Sequence, residues 1–194
     1  MGGFNRMLGA CAAFVLTGMV VPAATAKPPA TPAATQRAQS RAVVPLSVLH
    51  HVAQREMELG LLAQVAAVRP ETMRFATEVE ADFRQLDRRI LAIAEALGIG
   101  ENRLRQAYAD QNTDELARQA DNLDRLSMLR GENFDRQFWM TIDRDQSAAS
   151  DLLASASGTV PSLDPLVADA VRLLDRSIRK SAAAQTGSNT PPSR

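Results

Sequence analysis

Few residues in this 194-residue chain could do chemistry: two histidines, one cysteine and a scatter of carboxylates. His50 and His51 are adjacent, so on a helix they point about 100° apart and do not form an i, i+4 pair of metal ligands. His50 shares an apolar face with Ala53 and Met57 and is read as packed there. A copper site from His51, Met57 and the free amine would lack a repeated Met or His motif, and Met57, Met73, Met128 and Met140 are dispersed like gap-fillers. A hard cation held without histidine would draw on Glu58, Asp82 and Asp145, which would have to converge within about 4–5 Å of one point. Asp145, eleven residues after Phe134, falls within the apolar arc of its helix, where an unpaired charge is expensive. It calls for an Arg on a neighbouring helix, the usual fate of a buried charge, or for a residual polar pocket with Glu58 and Asp82.

For nucleophilic catalysis there is no Gly-x-Ser-x-Gly, and no glycine-rich phosphate loop is present. Without an assembled acid, base and nucleophile, the reading is a non-catalytic protein with no cofactor. Cys11 lies in the N-terminal segment, where Arg6 precedes an apolar run from about Met7 to Val21 and the small residues Ala24, Thr25 and Ala26. That order predicts a signal peptide over residues 1–26. The apolar run is shorter than a membrane-spanning helix requires. Leu8-Gly9-Ala10-Cys11 resembles a lipoprotein cleavage box, but there the apolar run should precede the cysteine.

Losing residues 1–26 removes one Arg and no acid, leaving 21 basic against 22 acidic groups. The basic residues are nearly all Arg, interspersed with acids in pairs such as Glu80 with Arg84, Asp121 with Arg125 and Asp175 with Arg179. Such i, i+4 pairs make a solvated helix face, not a nucleic-acid surface. No basic stripe is offered to lipid and Trp139 is the single tryptophan, so no direct membrane insertion is expected after leader removal. The expected location is the periplasm, with any outer-membrane association made through a protein or envelope partner.

The elements that must position these residues are helical, for no alternating Val/Ile/Thr run suggests a strand. After Pro70, the residues Phe75, Val79, Phe83, Leu86, Ile90, Ile93 and Leu97 step by threes and fours and end near Gly98 and Gly100. An earlier helix carries Leu46, His50, Ala53, Met57 and Leu61, widened by Leu59 and Leu62. A shorter piece runs from Thr113, read as its N-cap, to Arg130. A further long helix presents Phe134, Phe138, Thr141, Ile142, Ala149 and Leu152, and the last presents Leu163, Val167, Ala170, Leu174 and Ile178. Residues 27–45, rich in Pro, Ala, Thr, Gln and Ser, are expected to be a disordered linker, residues 46–184 the helical domain, and residues 185–194 a disordered tail. Long helices with short connections are expected to pack as an antiparallel bundle, which makes the chain all-α.

Several segments carry a resemblance: Glu56-Met57-Glu58-Leu59-Gly60, Phe75-Ala76 with Asp82 seven residues after Phe75, Leu126-Ser127, Gly131 leading into Phe134-Asp135, and Asp145. Over roughly residues 46–182 the chain is similar to the bacterial family numbered 4142 among domains of unknown function. The resemblance implies an exported protein, often labelled an outer-membrane protein, with a ferritin-like antiparallel four-helix bundle and an extra short helix between the second and third long helices. It also implies Asp-His pairs on the second and third long helices and a histidine on the last. Here those positions read Asp82-Phe83, Asp145-Gln146 and, nearest the last, Ser177, and no histidine follows residue 51. A ferritin-like centre uses Glu and Glu-x-x-His pairs converging from facing helices, and no Glu-x-x-His is present. Phe83 would fill the ligand position with an aromatic ring whose burial contributes roughly 1.5–3 kcal/mol without any ion. The resulting expectation is an exported non-catalytic module with an interaction or envelope-stress role. The alternative is residual metal binding by Glu58, Asp82 and Asp145.

Overall fold

The computed structural model describes residues 32–187, and these are all-helical. The expected leader lies outside the described residues, as do 27–31 of the expected linker and 188–194 of the expected tail. Six α-helices follow in chain order: α1 (Pro32–Ala66), α2 (Pro70–Ala96), α3 (Glu101–Ala109), α4 (Thr113–Ser127), α5 (Gly131–Ala156) and α6 (Asp164–Gly187). Among the described residues, no helix is long and apolar enough to cross a membrane.

Helix α1 begins well before Leu46, so residues 32–45 are helix where a disordered linker was expected. Composition and the missing N–H of Pro45 argue for a stop there. The helix runs on because Ala42, Val43 and Leu46 are buried, and the Gln39 side-chain amide donates to the Leu97 carbonyl at the far end of α2. At the other terminus, residues 185–187 belong to α6, and Gln185 Nε2 donates to Asp143 at 2.7 Å.

The α2 stripe is buried at Phe75, Val79, Phe83, Leu86 and Ile90. Pro70 opens the helix, where its missing N–H has no intrahelical partner to lose. The end is a Schellman cap: Gly98 takes φ +70°, its N–H bonds the Glu95 carbonyl, and the Ile99 N–H bonds that of Ala94, both at 2.8 Å. The segment after this cap folds as α3, with Leu104 and Tyr108 buried. Thr113 is the first residue of α4 and not its N-cap, and its hydroxyl bonds back to the Ala109 carbonyl at 3.0 Å.

Cross-helix bonds fix the directions. Gln39 meets Leu97 and His50 meets Asp87, so α1 and α2 are antiparallel. Arg55 meets Asp145 while the Val68 N–H meets Asp135, so α5 runs against α1. Glu78 meets Lys180 and Arg89 meets Asp169, and Asp143 meets Gln185 while Gln146 meets Ser177, so α6 runs against both α2 and α5. The four long helices pack in a ring, α1 beside α2 and α5, and α6 beside the same two. Because α2 and α5 run the same way, their connection must return along the length of the molecule. Helices α3 and α4 make that crossover, against α1.

The core is continuous through the ring, and Phe75, Phe134, Phe138 and Trp139 cluster with centroids 4.8–6.1 Å apart. Asp135, fully buried, accepts from the N–H groups of Val68 and Arg69 at 3.2 Å and so pins the α1–α2 turn. Helices α1 and α2 approach closely at Gly60: a Cβ there would stand 2.8 Å from the Ala76 carbonyl oxygen and 2.9 Å from Glu80 Cβ. Gly60→Ala is therefore expected to force the helices apart and to cost about 1–3 kcal/mol in urea denaturation, despite alanine's better helix propensity. An unchanged or raised midpoint would contradict this packing.

Candidate functional site

Two polar constellations stand out in the molecule, one at the centre of the ring and one between α1 and the crossover. At the centre, Glu56 of α1, Gln146 of α5 and Ser177 of α6 are all buried. Gln146 Nε2 donates to Glu56 Oε2 at 2.9 Å and to Ser177 Oγ at 2.6 Å, joining three helices through one amide. Phe83 of α2 is 1% exposed, and with Ser177 it lines the floor of a small groove between α2 and α6 whose rim carries Glu78, Asp82, Arg176 and Lys180.

Burial pushes the Glu56 carboxyl up from its ordinary 4.5 to about 8; the Gln146 hydrogen bond pulls the other way, and the Asp145 charge adds to the rise. Arg55, the preceding residue, points to another side of α1 and is itself buried. Its Nε and Nη2 donate to Asp145 Oδ2 at 3.0 and 2.9 Å. Asp145 is thus paired with an Arg of a neighbouring helix.

The three candidate carboxylates are not brought together. Asp145 faces Arg55; Glu58 is exposed, 3.9 Å from Arg55 Nη1; Asp82 is half-buried and faces Arg176 of α6 at 3.6 Å. Among the described residues, no group of three or more His, Cys, Asp or Glu side chains could hold a metal ion. The inward acid of α1 is Glu56, two positions from the residue singled out in the sequence. The signal lay in Leu49, Ala53, Glu56, Gly60 and Ala63, a stripe stepping by fours and threes with one carboxylate inside it.

His50 is buried as expected, but its contact is polar: Nδ1 stands 2.7 Å from Asp87 Oδ1, and Gln54 Nε2 donates to Asp87 Oδ2 at 2.8 Å. Asp87 likewise sits inside the α2 stripe, four residues after Phe83 and three before Ile90. His51 stacks on Tyr108 of α3 with centroids 3.7 Å apart and bonds Gln119 of α4 at 2.9 Å. Burial, opposed by the Gln119 bond, brings its pKa from 6.5 down to about 4, so the ring is neutral. Between α1 and the crossover lies a cleft of about 510 Å³, lined by His50, His51, Arg55, Tyr108, Leu116 and Leu123 among others.

A family model described as a domain of unknown function, DUF4142, matches residues 25–181. The chain belongs to this family. No curated protein and no solved structure matches it. The DUF4142 match covers α1 to α5 and α6 as far as residue 181, and therefore both constellations. Of the three positions where the DUF4142 resemblance implies histidine, Gln146 and Ser177 bond each other beside Glu56, and Phe83 is buried on α2.

Two outcomes follow for the charged groups. Glu56 is largely protonated in the folded protein at pH 7 and ionised when unfolded, so its stabilising contribution is complete below about pH 4.5 and is lost as pH rises to about 8. His51 acts oppositely, with stability lost as pH falls from 6.5 towards 4. Of these two groups, Glu56 is the one that acts between pH 6.5 and 8. The wild-type Tm is expected to fall across that window, and Glu56→Gln to flatten the slope and raise Tm at its upper end; equal slopes in circular-dichroism melts would refute the assignment. Asp145→Ala, which strands the buried Arg55 guanidinium, is expected to cost about 3–5 kcal/mol, read from the urea midpoint.

Proposed function

We propose that this protein is an exported, non-catalytic member of its family: a ferritin-like four-helix bundle that works by binding a protein or envelope component, in an interaction or envelope-stress role. The observation that carries the reading is the closed centre. Gln146 spends both amide hydrogens on Glu56 and Ser177, and Phe83 is a buried core ring of α2. An ion there would need carboxylates or imidazoles converging from facing helices, and Glu56 alone is of that kind, held largely protonated. The ferritin-like assignment is supported by the helix directions, with α1 and α6 running one way, α2 and α5 the other, and a single long crossover between the middle pair. Export to the periplasm, with outer-membrane association through a partner, rests on the leader-like order of residues 1–26.

The alternative of a carboxylate metal site finds no support in the placement of Glu58, Asp82 and Asp145, each facing an arginine. The test is elemental analysis of protein purified without an affinity tag or chelator, followed by melts with iron(II), manganese, zinc and calcium. The expected result is no stoichiometric metal and no rise in Tm. Stoichiometric metal lost on Glu56→Gln, or on Asp145→Asn, would overturn the reading.

A further inference from the structure

The cleft between α1 and the crossover belongs to neither the closed centre nor the metal question, and its chemistry is distinct. Its charged groups are already answered within the protein. Arg55 is held by Asp145, Arg105 bonds Glu101 at 2.7 Å, and Glu58 stands at the exposed rim near Arg55. His51 is neutral. Two hydrogen-bonding groups are not answered: His50 Nε2 and the Tyr108 hydroxyl are buried and have no hydrogen-bond partner among the described residues. Both side chains are at most 2% exposed, and both line the cleft.

The character of each group follows from its surroundings. His50 Nδ1 faces the Asp87 carboxylate, which only accepts, so Nδ1 carries a proton and Nε2 is the ring atom left to the cleft. Glu101 Oε1 lies 4.0 Å from Nε2, beyond hydrogen-bonding distance. The Tyr108 phenol is pushed up to about 12 by burial and by Glu115, so it remains a neutral O–H that can give or take a hydrogen bond. Leu116, Ala120 and Leu123 give the crossover side of the cleft an apolar stretch. A leftover ring nitrogen, a leftover hydroxyl, balanced charges and an apolar stretch favour a ligand without net charge that carries a hydroxyl, able to give and take a hydrogen bond, on a hydrocarbon body. The cleft is large enough to admit a molecule of two fused rings.

We propose that the cleft between α1 and the α3–α4 crossover is a binding site for a small uncharged alcohol or phenol, whose hydroxyl bonds His50 Nε2 and the Tyr108 hydroxyl while its carbon skeleton lies on Leu116 and Leu123. This goes beyond the binding role proposed above and stands whether or not the centre of the ring holds a metal.

The probe is 2-naphthol, uncharged at neutral pH as phenols are, titrated into the purified protein by isothermal calorimetry and by its own fluorescence. Saturable one-to-one binding is expected, with 2-methoxynaphthalene and 2-naphthoate each weaker by roughly three- to tenfold or more, the worth of one neutral hydrogen bond. Tyr108→Phe is expected to weaken 2-naphthol by a similar factor without lowering Tm, since it removes a buried hydroxyl that has no protein partner. Ala120→Trp, on an exposed position of the crossover, is expected to fill the cleft and abolish binding with the fold intact by circular dichroism. No binding of 2-naphthol, a preference for the carboxylate, or equal binding by either variant would overturn the proposal.

Discussion

Helix α1 is covered on two sides, by the ring of long helices within and by the crossover outside, and the rest of the structure accommodates that fact. A helix buried on nearly all sides needs partners for its polar side chains inside the protein, because an unpaired polar group or charge away from water is heavily penalised. His50, Arg55 and Glu56 all lie on this stretch. Each is answered by a different neighbour: Asp87 of α2, Asp145 of α5 and Gln146 of α5. These bonds also fix the register of the antiparallel neighbours, since sliding α2 or α5 along α1 by one turn would strand a buried donor or charge.

The centre of the ring and the outer cleft are two results of the same arrangement. Inward, Glu56 meets Gln146, which also holds Ser177, and Phe83 is buried on α2. A largely protonated acid, an amide and a hydroxyl tie three helices together, with Gln146 Oε1 left as a buried acceptor without a partner among the described residues. Outward, α3 and α4 meet His51 through a stacked tyrosine and a glutamine, and between these contacts the space is incompletely filled. The crossover joins helix ends on opposite sides of the molecule, and its side chains do not pack α1 as closely as α2 does at Gly60.

Much of the framework was legible in the sequence. The stripes at threes and fours gave the long helices, Pro70 and Gly98 marked the ends of α2, and the segments around Glu56, Phe75, Asp82 and Asp145 pointed to the family. Individual faces were less secure. Leu61 is 47% exposed and Leu153, not Leu152, is fully buried, because a one-residue step turns a helix by about 100°. Residues 32–45 were misread because their composition is that of a tether; their helix persists on packing against α2, which composition does not report.

The sequence by itself determined that the chain is helical, that no histidine is available beyond His51, and that Phe83 and Gln146 stand where the family resemblance implies ligands. These are matters of residue type and local period. Only the tertiary structure decided that Glu56 and not Glu58 is the inward acid, that Asp145 is taken by Arg55, and that His50 and Tyr108 line one cleft. Those pairings join residues 58 to 90 positions apart, and side-chain periodicity along one helix carries no information about which residue of another helix comes to face it.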